Sequence, residues 1–209
     1  DGVHGLMSTR APVVGVVLAG GQSRRMGRDK AGLVYAPGGQ PQWRAAAALL
    51  RGLCGRVYLS VRPGQVPRGH GAGDAPLLPD AGESAGPLTG ILTAMRAHPG
   101  EACLAVAVDL PRLESPVVAH LLAQRGEADA LAYRSMHDGL PEPLCAVYEP
   151  AFLPVLEDYA ARGRSCPRKI LIEQAARVRL VELPVADALD NANTPEDFAR
   201  LAQTGEAAP

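Results

Sequence analysis

The chain has 209 residues, a formal net charge of −1 at pH 7 and a hydrophobic fraction of 47%. This length fits one domain that buries roughly 70% of the surface of its unfolded chain. The near-neutral charge argues against a protein that coats nucleic acid, because such binding uses many lysines and arginines to neutralise phosphates. Aromatic residues make up 4% of the chain, too few for a row of base-stacking platforms.

Cysteine spacing and apolar runs limit the class of protein further. The four cysteines are widely spaced and form no Cys-x-x-Cys pair, so we expect no zinc site and a reducing compartment. The longest early apolar run, residues 13–19, is far shorter than a membrane span. We therefore expect a cytoplasmic protein without membrane or nucleic-acid partners. We expect residues 1–10 to be an N-terminal extension or tag remnant, 11–204 one folded domain, and 205–209 a flexible tail.

The first predicted element in chain order is a strand over Val13–Leu18. Its nearly continuous valines, broken by Gly15, are typical of a strand covered on both faces of a parallel sheet. Later patterns predict strands over 57–61, 103–108, 128–133, 144–148 and 178–183, and helices over 43–53, from 87, 116–125, 151–159, 169–176 and from 195. Residues 63–76, rich in glycine and proline, indicate a flexible surface loop. This alternation predicts a single-domain, Rossmann-like three-layer α/β/α sandwich with a mainly parallel sheet.

Two of the predicted strands end in residues of chemical interest. The first strand is followed by Gly20-Gly21, and the strand over 103–108 is followed by Asp109. Ligand crevices of open α/β sheets lie at the carboxyl ends of the strands. If these strands are parallel neighbours, the glycines and the carboxylate share one edge of the sheet.

The segment after the first strand has the composition of a phosphate-binding loop. Its paired glycines let backbone N–H groups approach phosphate oxygens, and its positive charge comes from Arg24, Arg25, Arg28 and Lys30. The spacing matches neither a P-loop nor a Gly-x-Gly-x-x-Gly fingerprint. From charge and glycine alone, a tight turn beside a solvated basic face is the alternative.

As a whole, residues 18–30 have the form Leu-Ala-Gly-Gly-x-Ser-x-Arg-Met-Gly-x-Asp-Lys. Further motifs follow in order: Pro-Asp at 79–80, Gly-Pro-Leu-Thr-Gly-Ile at 86–91, Val-Asp-Leu-Pro at 108–111, Pro-Glu-Pro-Leu at 141–144 and Asn-Ala-Asn-Thr-Pro-Glu-Asp at 191–197. Together they resemble the molybdenum cofactor guanylyltransferases, a family within the wider sugar-nucleotide and cofactor nucleotidyltransferases. The resemblance covers residues 13–198.

The resemblance implies a role for each matching position. Nucleotide-binding positions would be Leu18, Ala19, Gly20, Gly21, Lys30, Ser60, Asp80, Asp109, Asn191 and Asn193. Among these, Asp80 would contact the guanosine part and Asp109 would hold Mg²⁺, while Lys30 and Arg25 would stabilise charge on the phosphates. The two asparagines would border the metal and acceptor site. Ser60 stands where the family often has an asparagine, and its hydroxyl can still form a hydrogen bond. Taken singly, Asp80 and Asp109 could be turn residues and Asn193 could organise a helix entry.

The resemblance also implies a reaction. GMP from GTP would be joined to the phosphate of molybdopterin-type molybdenum cofactor, with release of pyrophosphate and without a covalent enzyme intermediate. Partners would be cofactor-delivering proteins and acceptor molybdoenzymes. One alternative is the cytidylyl-transferring branch, which tends to carry Leu-Ala-Ala-Gly, so that Gly20 favours guanine. A second alternative is a sugar-1-phosphate nucleotidyltransferase, which is usually a longer chain. A third is a nucleotide-binding module without catalysis, and the presence of both Asp109 and Lys30 argues against it.

Overall fold

The computed structural model describes residues 10–20, 39–81 and 86–191. Strands of this part are β1 (Val13–Leu18), β2 (Arg56–Val61), β3 (Leu77–Pro79), β4 (Ala102–Ala107), β5 (Ala130–Arg134), β6 (Pro141–Tyr148) and β7 (Val178–Val181). Its α-helices are α1 (Gln42–Arg51), α2 (Pro87–Ala97), α3 (Ser115–Ala123), α4 (Leu153–Ala161) and α5 (Pro167–Glu173). None of the helices in the described ranges is long and apolar enough to cross a membrane.

The strands form one seven-stranded sheet in the order β3-β2-β1-β4-β6-β5-β7. All neighbouring pairs are parallel except those of β6, which runs antiparallel to β4 and β5. In the register of the central strands, Leu18 lies opposite both Ser60 and Ala107. The carboxyl ends of β1, β2 and β4 are therefore level, which confirms the predicted shared edge.

The reversed strand β6 brings a further segment to the same edge. Because Val106 near the end of β4 pairs with Cys145, residues 141–144 at the start of β6 lie beside the carboxyl end of β4. The motif Pro-Glu-Pro-Leu thus reaches the predicted ligand edge from the opposite chain direction. The sheet is therefore mainly parallel, as predicted, with one reversed strand.

Helices cover both faces of the sheet and complete three layers. On one face, α1 and α3 bury Trp43, Leu50 and Leu121 against strand residues such as Leu59 and Leu104. On the other face the core is built from α2, α4 and α5, including Ile91, Met95, Leu156 and Ile170, packed on Val14, Val16 and Ala105. Successive residues of one strand, such as Leu104 and Ala105, therefore pack into the cores on opposite faces of the sheet, because side chains alternate along a β-strand.

The glycine- and proline-rich passage after β2 lies mostly at the surface, as the sequence predicts, and its flexibility stays a prediction. It packs on α1, where the buried indole of Trp43 donates from Nε1 to Arg68 O (3.3 Å). Arg44 forms an ion pair with Asp74 (2.9 Å), and His70 Nε2 lies 3.0 Å from Ala75 O. The passage leads into β3, which is too short for a hydrophobic period and was not predicted from the sequence.

Candidate functional site

The carboxyl edge of the sheet brings together residues from four strand ends. Leu18 ends β1 and is followed by Ala19 and Gly20, and Ser60 lies near the end of β2. Asp80 follows β3, and Asp109 lies just beyond β4. The backbone N–H of Ala19 donates to Ser60 O (2.9 Å), which fixes the end of β1 against β2. Side chains far apart in sequence therefore meet where an open α/β sheet binds its ligands.

Gly20 and Asp80 are in direct contact at this edge. A Cβ added to Gly20 would lie 2.9 Å from Asp80 Oδ2 and 3.3 Å from the backbone nitrogen of Arg62. The first distance is shorter than a real Cβ contact, so a side chain at position 20 would displace the Asp80 carboxylate, and glycine is favoured there. The first glycine of the loop motif thus makes room for a carboxylate.

Asp80 is held in place through both its backbone and its carboxylate. Its backbone N–H donates to Val61 O (2.7 Å), and its Oδ1 accepts a hydrogen bond from Ser60 Oγ (2.5 Å). The next residue is fixed as well, because Ala81 N donates to Thr93 Oγ1 on α2 (2.9 Å). Burial raises the pKa of Asp80, while the hydrogen bond from Ser60 acts in the opposite direction. The result is a positioned, half-buried acceptor group.

Helix α2 approaches the site through the motif at 86–91. Gly86 has a φ of 123°, a left-handed region that favours glycine, and Pro87 starts the helix. Gly90 packs against β1 and β2: a Cβ there would collide with Ser60 Oγ and lie 2.8 Å from Leu18 Cδ2. The two glycines of this motif are therefore required for different reasons. Gly86 allows the turn before the helix, and Gly90 allows the close packing of the helix on β1 and β2.

Asp109 is half-buried and lies two residues beyond β4. The buried residue Leu110 follows it, and the carbonyl of Leu110 accepts a hydrogen bond from Gln42 Nε2 (3.4 Å), which ties this turn to α1. Within residues 10–20, 39–81 and 86–191, no group of three or more His, Cys, Asp or Glu side chains could hold a metal ion. A single carboxylate still suits Mg²⁺, which usually combines one or two carboxylates with substrate phosphates and water.

A cleft of about 170 Å³ opens beside Leu110 at the same edge. Its walls are mostly apolar, but Glu142, Arg168 and Asn191 also line it. The guanidinium of Arg168 pairs with Asp138 (2.9 Å) and with Glu142 (2.8 Å). Arg168 was missed in the sequence because it follows Pro167 at the start of α5 without a motif of its own, whereas the motif at 141–144 pointed to Glu142.

The predicted site residues fall into two groups. The structure brings Leu18, Ala19, Gly20, Ser60 and Asp80 together, with Asp109 on the same edge and the exposed Asn191 at the cleft. Other predicted residues lie outside the described part of the chain, and their placement stays a prediction: Gly21, Arg25, Lys30 and Asn193. The helix predicted from residue 195 and the expected extension and tail also lie there.

Fold and site together define an α/β protein with its ligand crevice at the carboxyl edge of a mainly parallel sheet. Comparison with known proteins identifies the family, because the model of the MobA-like NTP transferase domain matches residues 15–178. The chain belongs to this family, which confirms the predicted resemblance and places the protein among the nucleotidyltransferases.

Relatives and a solved structure agree with this assignment. The chain is 40% identical over 194 residues to the molybdenum cofactor biosynthesis bifunctional protein of Synechocystis sp., covering 92% of this chain and 54% of that protein. It therefore spans about half the length of that relative. Identity to the molybdenum cofactor guanylyltransferase of Rhizobium leguminosarum bv. trifolii is 32% over 209 residues, covering 95% of each. Molybdopterin-guanine dinucleotide biosynthesis protein A from Archaeoglobus fulgidus has the same fold, with a TM-score of 0.70, 22% identity and coverage of 93% of this chain and 100% of that one.

Proposed function

We propose that this protein transfers GMP from GTP to the phosphate of molybdopterin-type molybdenum cofactor, forming the guanine dinucleotide cofactor and releasing pyrophosphate. The observation that carries the proposal is the Asp80 carboxylate, fixed beside Gly20 at the carboxyl edge of the sheet. The Rhizobium relative, which this chain matches over 95% of both lengths, is named a molybdenum cofactor guanylyltransferase, and this name supports the proposed class of reaction. The family assignment supports the same class of chemistry.

The guanine base is proposed to bind at Asp80. Guanine presents two neighbouring donors, N1–H and the N2 amino group, and a carboxylate can accept both. Cytosine instead presents one donor amino group beside an acceptor nitrogen, so it cannot pair with a carboxylate in the same way. Leu18, Ala19 and the two glycines that follow them would lie along the nucleotide.

The transferred phosphate is proposed to lie between Asp109 and the basic loop. An oxygen of the acceptor's terminal phosphate attacks the α-phosphorus, and the bond from that phosphorus to the bridging oxygen of pyrophosphate breaks. Lys30 and Arg25 would neutralise charge on the departing pyrophosphate. Two anions must be brought together in line, so the protein's contribution is to fix geometry and balance charge.

Asp109 is the proposed ligand for Mg²⁺. When bound, the metal would polarise phosphate oxygens and offset their negative charge. The half-buried carboxylate at the end of β4 fits a cation that is bound mainly through substrate phosphates.

The acceptor is proposed to enter the cleft lined by Leu110, Arg168 and Asn191, with Asn193 bordering the same site. Apolar walls suit a flat ring system, and the ion-paired Arg168 and Glu142 add polar groups that could bind its substituents. Binding there would approach the nucleotide from the Asp109 side. Cofactor-delivering proteins and acceptor molybdoenzymes are the proposed partners, the cytoplasm the proposed location, and residues 11–204 the proposed catalytic domain.

Two other functions remain as competitors of the proposal. The first is transfer of a different nucleotide to another phosphorylated small molecule, including the cytidylyl reaction. The second is nucleotide binding without catalysis. The contact between Gly20 and Asp80 favours guanine over cytosine, because an alanine at position 20 would press on the carboxylate.

GTP with Mg²⁺ should stabilise the fold more than CTP with Mg²⁺, because only guanine offers both donors to Asp80. Ligand linkage gives about 2.7 kcal/mol of stabilisation at a hundredfold excess over Kd. The measurement is a thermal shift with the four nucleoside triphosphates at equal concentrations. Gly20→Ala is the matched variant, and its preference for GTP should decrease. An equal or larger shift of the wild type with CTP would contradict the assignment of guanine.

A further inference from the structure

We infer that Ser60 is a positioning residue for base selection: its hydroxyl fixes the Asp80 carboxylate in the orientation that recognises guanine. The inference rests on the proposed binding of guanine at Asp80 and extends it to a residue that does not itself need to touch the nucleotide.

Ser60 lies at the meeting point of the strand ends that form the site. Its side chain is buried, with 2% of the residue exposed. The backbone carbonyl of Ser60 accepts from Ala19 N (2.9 Å), while its hydroxyl donates to Asp80 Oδ1 (2.5 Å). One residue therefore fixes both the chain that enters the loop at Gly20 and the carboxylate beside it.

The packing of α2 leaves the Ser60 hydroxyl little freedom. A Cβ at Gly90 would collide with Ser60 Oγ and lie 3.1 Å from Ser60 Cβ. Helix α2 thus approaches β2 as closely as a glycine allows, and the face of Ser60 towards the helix is filled. Because Gly90 of α2 fills the space on one side of Ser60, the hydroxyl is directed to Asp80.

The hydrogen bond from Ser60 constrains the plane of the Asp80 carboxylate. The torsion that rotates an aspartate carboxylate is broad and weakly restrained by itself. With Oδ1 bound to Ser60 and Oδ2 packed beside Gly20, this rotation is restricted. Each carboxylate oxygen has two lone-pair sites, so Oδ1 can accept from Ser60 and from a ligand at once. A carboxylate held in a fixed plane binds the two parallel N–H donors of guanine better than it binds a base with a single donor.

The electrostatics agree with this geometry. Burial raises the pKa of Asp80, and the Ser60 hydrogen bond offsets part of that rise by stabilising the charged form. Removing the hydroxyl would therefore loosen the carboxylate and also make it easier to protonate. Both effects weaken an acceptor that has to bind two donors.

The test compares the binding of GTP and of inosine triphosphate (ITP), which lacks the N2 amino group. In Ser60→Ala the ratio of Kd for ITP to Kd for GTP should fall by about fivefold to tenfold, the effect of one ordinary hydrogen bond. The weak donor of Ser60→Cys should give an intermediate ratio.

Tyr133→Phe is the matched control. It removes another buried hydroxyl that donates over 2.5 Å, to Val117 O, in the part of the fold formed by β5 and α3. This variant should lose stability as Ser60→Ala does and keep the wild-type ratio of ITP to GTP. A fall of the ratio in both variants would overturn the inference, since it would reflect general loosening of the fold.

The outcomes separate this inference from the proposed function. If Asp80→Asn loses the discrimination while Ser60→Ala keeps the wild-type ratio, Ser60 is not a positioning residue and guanine recognition still stands. If the wild type binds GTP and ITP equally, guanine recognition at Asp80 and this inference both fail. If the wild type discriminates but transfers no GMP, the proposed reaction fails, and the Kd ratios of the variants still decide the role of Ser60.

Discussion

Replacing Asp109 with asparagine should leave a folded protein whose turnover of GTP is lower by about 10²–10³, the usual cost of losing one electrostatic element of a phosphoryl-type site. The substitution keeps the size and shape of the side chain. The turn between β4 and Pro111 can therefore survive, as can the hydrogen bond from Gln42 to Leu110 O. This variant should therefore keep its fold and lose most of its catalytic activity.

The measurement is pyrophosphate release at saturating GTP, Mg²⁺ and molybdopterin-type cofactor, with circular dichroism and a melting curve for the folded state. A second readout is the part of the GTP thermal shift that depends on Mg²⁺, which should disappear in Asp109→Asn. Asp129→Asn is the matched control, because Asp129 lies just before β5 at the opposite edge and pairs with Arg177. If folded Asp109→Asn keeps more than about a third of wild-type turnover, far from the expected loss, Asp109 does not hold the metal.

The largest effect on stability is expected at Arg125, which joins three segments at the amino edge of the sheet. Its guanidinium donates to both oxygens of Glu149, at 2.6 and 2.8 Å, and to Ala11 O at 2.9 Å. The side chains of this pair are 7% and 14% exposed. Removing one partner of a buried ion pair leaves an uncompensated charge and costs about 3–5 kcal/mol.

Arg125→Ala should therefore lower the melting temperature by roughly 6–20 °C, given about 2–4 °C per kcal/mol for a chain of this size. Arg96→Ala is the control, because Arg96 pairs with Glu157 at the surface, where such a pair contributes about 0–1 kcal/mol. The double variant Arg125→Ala with Glu149→Ala should lose less than the sum of the two single variants, since it leaves no charge unpaired. A loss in Arg125→Ala as small as that in Arg96→Ala would contradict this role.

Much of the fold was predictable because its central strands are apolar on both faces. The run over Val13–Leu18 and the prediction over 103–108 match β1 and β4 to within one residue. Their following residues, Gly20 and Asp109, then share an edge because both strands are parallel neighbours. Local composition therefore predicted the strands, and the rule for ligand sites in α/β sheets predicted the edge at which these residues lie.

Other features depend on contacts that a sequence pattern does not encode. Strand β3 has three residues and is defined by pairing with β2, which no periodicity signals. The hydrogen bond between Ser60 and Asp80 joins residues 20 positions apart and depends on the close packing of Gly90. Arg168 reaches the cleft through the placement of α5, and its ion pairs with Asp138 and Glu142 are formed only in the folded chain. Tertiary packing, and not local propensity, decides each of these cases.

The proposed product, a guanine dinucleotide of the cofactor, can be identified by mass spectrometry. The purified protein is incubated with GTP, Mg²⁺ and molybdopterin-type cofactor, and the nucleotide products are identified and counted against pyrophosphate. We expect a guanine dinucleotide of the cofactor and pyrophosphate in equal amounts, with neither formed when the acceptor is omitted. Formation of a cytosine dinucleotide in preference to the guanine product, or hydrolysis of GTP without any dinucleotide, would contradict it.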